Sequence, residues 1–89
     1  MKLNNTISVL IKQPGEDPQI QAIDGTLASL QNIVSDFIEI IPTASGSAVI
    51  CAENRLGRQQ NGTVNGYPIY GTLIFCGLDD HGNITSYQA

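Results

Sequence analysis

Only one stretch of this chain repeats its apolar residues at a helical spacing. Leu27 is followed by Leu30, Ile33, Val34 and Phe37, at +3, +6, +7 and +10. That is one stripe on a helix of about ten residues. Ser29, Gln31, Asn32 and Ser35 fall on its opposite side. Asp24 or Thr26 can cap its N-terminus. The other apolar residues alternate or cluster in short runs, which is how strands read. A chain with one helix and several strands lays that helix on a sheet. The stripe is therefore read as core, not as a partner-binding face.

The strands follow from the period. TISVLIK (6–12) sets Ile7, Val9 and Ile11 on one face. QPGEDP (13–18) is a turn, and QIQAI (19–23) returns, giving a hairpin with a six-residue connection. FIEII (37–41) ends at Pro42, and PTASGS (42–47) is a loop of turn formers. AVICA (48–52) is continuously apolar, the mark of a central strand. Another strand begins at Thr72 and runs to Leu78. A turn at DDHG (79–82) leads to a short edge strand, NITSY (83–87). The order is β-β-α-β-β-loop-β-β. The predicted fold is one α+β domain over 1–89: a small, mostly antiparallel sheet with one amphipathic helix on one face.

Charge narrows the function. Eight acids against four bases give a net charge of −4 on 89 residues. Four bases cannot line a duplex groove, so a long nucleic acid is not expected as partner. Eight acids are too few to imitate DNA. Seven Asn, seven Gln, six Ser and six Thr replace charge with neutral donors and acceptors. No stretch nears the ~18 apolar residues that cross a bilayer, and residues 1–6 lack the apolar core of a signal peptide. A cytoplasmic protein is expected. The Asn-x-Ser/Thr triplets at Asn4, Asn61 and Asn83 then read as by-products of composition. Cys51 and Cys76 each sit in an apolar run. Buried free thiols are expected, with a disulfide between neighbouring strands still open.

Catalytic patterns do not emerge. His81, beside Asp79 and Asp80, falls in a tight turn whose adjacent side chains rarely meet at one ion. Ser45 and Ser47 flank Gly46 outside any nucleophile elbow. There is no phosphate-binding glycine motif. Glu39 and Glu53 have no spacing that pairs them. The expectation is a non-enzyme without cofactor or metal.

The 53–71 segment, ENRLGRQQNGTVNGYPIYG, stands apart. It is long for a connection in a compact domain, and such loops often carry function. Both arginines of the protein, Arg55 and Arg58, lie in it, with two of its three tyrosines, Tyr67 and Tyr70. Guanidinium forks match phosphate oxygens, tyrosine rings stack on bases, and amides pair with base edges. The candidate ligand residues are Asn54, Arg55, Arg58, Gln60, Asn61, Tyr67 and Tyr70. The same residues also fit an ordinary surface loop, its arginines paired with nearby acids and its tyrosines padding the core.

IDGTLASLQNIVSDFIEIIP, AVICAEN and GTLIFCGLDDHGN together resemble the DUF3846 family, over nearly the whole chain from Ile7 to Asn83. Asn54, Leu56 and Gly57 are similar to the family's NEeGkl element, and Gln60-Asn61 to its Pro-x-Asn element. Ser35-Asp36 stand where the family tends to have glycines. The resemblance implies a small domain of phages and mobile elements and implies no enzymatic activity. The expected function is a non-catalytic accessory protein with an anti-defence role, binding or sequestering a small nucleotide-like ligand inside the host bacterial cell. The alternative is an inhibitor that binds a host defence protein through a sheet edge, such as 83–87, or a loop surface. Self-pairing of an edge into a homo-oligomer is expected in either case.

Overall fold

The computed structural model describes residues 6–44 and 46–87. Residues 1–5, with Asn4 and Asn5 of the Asn4 triplet, lie outside the described residues, as does Ser45 of the 42–47 loop.

The predicted α+β architecture holds. The strands β1 (Thr6–Lys12), β2 (Gln19–Asp24), β3 (Ile38–Pro42), β4 (Ser47–Ala52) and β7 (Leu73–Leu78) form an antiparallel sheet in the order β2-β1-β7-β4-β3. The helix α1 (Leu27–Val34) follows β2. Thr26 is its cap, accepting from the Ser29 backbone N–H, while Asp24 accepts from the Thr26 N–H. The helix is shorter than its stripe. Ser35 turns into the left-handed region at φ 63° and ends it. Leu30, Ile33 and Val34 therefore pack on the sheet, while Leu27 and Phe37 at the ends of the stripe stay exposed.

The helix covers one face of the sheet, meeting Val9, Ala48, Ile50, Ala52, Ile74 and Cys76. The opposite face is also covered. Within the 53–71 segment, read from sequence as a loop, β5 (Gln60–Val64) and β6 (Tyr67–Tyr70) make a hairpin. Its Val64 and Ile69 pack on Val49, Cys51 and Leu73. The turn is Asn65-Gly66, both at positive φ (52° and 84°), the geometry of a two-residue hairpin turn. A bulge falls between Gln60 and Thr63, where Gly62 has φ 100°. Continuous apolar runs in β4 and β7 are thus explained by cover on both sides.

The chain's end is not the free edge expected at 83–87. The strand β8 (Ile84–Thr85) pairs with β7. Beyond it, Tyr87 N–H donates to the Ser8 carbonyl and Ser8 N–H donates to the Ser86 hydroxyl. The tail thus wedges between β1 and β7. A side chain on Gly77 would collide with the Thr85 hydroxyl and the Ser86 carbonyl. Cys51 and Cys76 are free and face opposite sides of the sheet, which removes the disulfide left open by the sequence. Among the described residues no helix is long and apolar enough to cross a membrane.

Candidate ligand cleft

The covering hairpin leaves a cleft where it meets the edge strand β3. On β3, Glu39 pairs with Cys51 and Ile41 with Val49, so both side chains stand on the hairpin side. Asn65, Tyr67 and Pro68 of the hairpin form the opposite wall, with Val64 and Ile69 beneath. Arg55 closes one end. The cleft measures about 350 Å³. That is within the range of small-molecule sites.

The 53–59 stretch positions Arg55. Asn54 accepts from Leu56 N–H through its side chain, and Arg58 N–H returns to the Arg55 carbonyl. Gly57 supplies the positive φ that this turn needs. The Arg55 guanidinium sits over the Tyr70 ring, 5.6 Å from its centroid. This cation–π contact orients the charge while leaving its donors in the plane. Tyr67 is 72% exposed, so a ring face is open to a ligand. Asn65 donates to the Pro42 carbonyl, tying the hairpin turn to β3. Burial, chiefly, pushes the Cys51 thiol up. The Glu39 carboxylate adds to the rise and Arg55 opposes it, so both charges act at one end of this sheet face.

The seven residues singled out from sequence divide. Arg55 and Tyr67 line the cleft, and Tyr70 lies behind it as the ring under the Arg55 guanidinium. Arg58 does not join them. Its Nε donates to the Asn54 carbonyl at 2.7 Å, Nη1 to the Val34 carbonyl and Nη2 to the Ser35 carbonyl and the Asp36 carboxylate, each at 3.3 Å. It seals the C-terminus of α1, where unpaired carbonyls gather. The reading of arginine paired with a nearby acid fits this residue. Asn54 shapes the turn. Gln60 is exposed on β5 opposite Tyr70. Asn61 is 3% exposed and donates to the carbonyls of Lys12 and Gly71, each at 2.8 Å, while Lys12 donates back to it. It pins the hairpin to the sheet.

Glu39 and Asn65 also line the cleft, although the sequence pattern does not mark them as ligand residues. Glu39 had a usable signal, since a charged residue inside FIEII must face solvent or a site. Asn65-Gly66 is the strongest short hairpin signal and places the cleft wall. A second, shallower hollow of about 470 Å³ runs from Ala28 to Phe37 beside the helix end. Its carboxylate, Asp36, is already held by Phe37 and Asn54 N–H groups and by Arg58.

The fold and the cleft define a small α+β domain with a sheet covered on both faces and a polar-rimmed, apolar-floored recess at one edge. The chain belongs to the DUF3846 family, a domain of unknown function, matched over residues 7–89. No curated protein and no solved structure matches it.

Proposed function

We propose that this chain is a non-catalytic accessory protein of a phage or mobile element that works in the bacterial cytoplasm. It holds a small nucleotide-like ligand in the cleft at β3. The supporting observation is the convergence of Arg55, Tyr67 and Glu39 on one apolar-floored recess. The roles differ from those expected of the sequence. Arg58 has four of its donor contacts engaged at the helix end, so Arg55 alone faces an anionic group. Glu39 on the rim repels further negative charge and accepts from base N–H donors. Tyr67 stacks on the base. A ligand with one phosphate, linear or cyclic, therefore fits better than a polyphosphate.

A thermal-shift panel of nucleoside mono-, di-, tri- and cyclic phosphates checks this. Stabilisation is expected from the singly phosphorylated members, lost in Arg55→Ala and Tyr67→Ala. No shift from any member, or unchanged binding in Arg55→Ala, would sink the proposal.

The reading as an inhibitor of a host defence protein has one observation in its favour. Glu53 N–H bonds to the Phe37 carbonyl and Thr43 N–H to the Ser47 carbonyl. This phase turns the backbone groups of Ile38 and Ile40 outward along β3, which is an edge of the sheet among the described residues. An extended segment pairing there would lie beside the cleft.

A further inference from the structure

Among the described residues, the sheet's other free edge is β2, and it is built differently. At β3, the outward position Pro42 has no N–H, and its carbonyl is taken by Asn65. That edge is blunted. Within Gln19–Asp24 the edge strand β2 carries no such device, and Pro18 stands just outside it. Its phase follows from its neighbour: the N–H and carbonyl of Ser8 point away from β2, toward Ser86 and Tyr87. Ser8 faces Ala22 and Leu10 faces Ile20 in the β1–β2 register. Ile20 and Ala22 therefore turn their own N–H and carbonyl groups outward. Their side chains lie on the hairpin side of the sheet, in the rows of Leu10 and Ser8. The hairpin covers the β4–β7 part of that face and stops short of β2, leaving Ile20 77% exposed.

We propose that β2 is a self-pairing edge and that its partner is a second copy of this chain. The pair is antiparallel about a two-fold axis through Gln21, and it joins the two sheets into one. In this register Ile20 faces Ala22 of the second copy, and Ala22 faces its Ile20. Each pair exchanges both backbone hydrogen bonds. The large exposed side chain sits beside the small one, and the two Ile20 side chains meet diagonally, about 7–8 Å apart between Cα atoms. The two Gln21 residues face each other on the helix side, where their amides can hydrogen-bond.

Neighbouring registers are worse. Centring on Ala22 sets Ile20 against Asp24. Centring on Ile20 sets Ala22 against Pro18, which has no N–H to give.

Charge selects the partner. The chain carries −4, so it meets its own copy favourably only where acids do not face acids. QIQAI has no charge. The strand's one acid, Asp24, ends in line with Lys12 of the second copy, two strand spacings or about 10 Å away. The interface is isologous and closes as a dimer. It lies on the edge opposite the ligand cleft and stands independently of it.

Sedimentation equilibrium on the full chain tests the proposal, up to ~0.5 mM, where a Kd near 100 µM is still visible. The wild type is expected to be a dimer. Ala22→Pro removes an outward N–H and no bond to β1, and Ile20→Lys places like charges near the axis. Each should weaken the dimer at least tenfold, with native circular dichroism. If Ala22→Pro fails to fold, Ile20→Lys decides alone, because its side chain is exposed. A wild type that stays monomeric, or a dimer that Ile20→Lys retains, would overturn the assignment.

Discussion

Two arginines three residues apart carry different tasks, and the difference lies in what surrounds their donors. Arg55 spends its face on Tyr70 and keeps its edge for the cleft. Arg58 spends its edge on the carbonyls of Asn54, Val34 and Ser35 and on Asp36. Ser35 adopts the left-handed conformation where glycine is usual, so this helix end needs holding. Arg58→Ala should cost about 2 kcal/mol in urea unfolding, while Arg55→Ala costs little, since charged hydrogen bonds weigh most. Asp36 adds a pH dependence. The Phe37 N–H holds its carboxyl below the usual range, helped by Asn54 and Arg58 and opposed by desolvation. Between the folded and unfolded pKa values the unfolded chain binds more protons. The stabilisation is complete above the unfolded value and is lost as pH falls through the folded one. Asp36→Asn should therefore lose less stability than wild type on acidification below about pH 4. Asp79, lowered chiefly by the Asn83 N–H, keeps a residual slope in both proteins. An identical acid slope in the variant would count against this role.

At the scale of elements, the legible parts are those whose apolar residues are dense enough to show a period. β1, β4 and β7 could be read from ISVLI, AVICA and LIFC, and α1 from Leu30, Ile33 and Val34. The β5–β6 hairpin could not be read that way. Only Val64 and Ile69 anchor it apolarly, and its other deeply buried side chain is a polar one, Asn61. Asn61 is buried only because Lys12 and Gly71, remote in sequence, bring carbonyls to it, and no local pattern announces that. Two glycines separate turn chemistry from close packing. A methyl group on Gly66 meets nothing within 4 Å, so Gly66→Ala pays only for φ +84°, about 1 kcal/mol. At Gly77 the methyl meets Thr85 and Ser86, and the wedge that ties the tail to β1 must move. Gly77→Ala should cost more, about 3 kcal/mol. Urea midpoints compared at equal slope decide the ranking, and equal midpoints would show the tail to be slack.

For the molecule as a whole, the sheet is the middle of three layers, and only one of its covers could be foreseen. Two central strands that are apolar on both faces imply two covers. The sequence supplied α1 for one face. The second was hidden in a segment whose polarity looked like a loop, and the candidate cleft was hidden with it, because its walls exist only once the hairpin docks. The two covers also differ in anchorage. Among the described residues, nine buried side chains form one cluster on the helix side and five on the hairpin side. Local opening follows the weaker cover. The cysteines report on each separately, since Cys51 lies under the hairpin and Cys76 under the helix. Burial raises both thiols, Cys76 to about 11, so each reacts only when its cover lifts. Under native conditions with a thiol reagent in excess, Cys51 should label at least about tenfold faster than Cys76, a difference of ~1.4 kcal/mol in opening. Mass spectrometry of the partly labelled chain resolves the two sites. In Gly66→Ala the Cys51 rate should rise while the Cys76 rate holds. If both thiols label at one rate in wild type and variant, the hairpin and the helix open as a single unit, and the cleft has no independent freedom to admit its ligand.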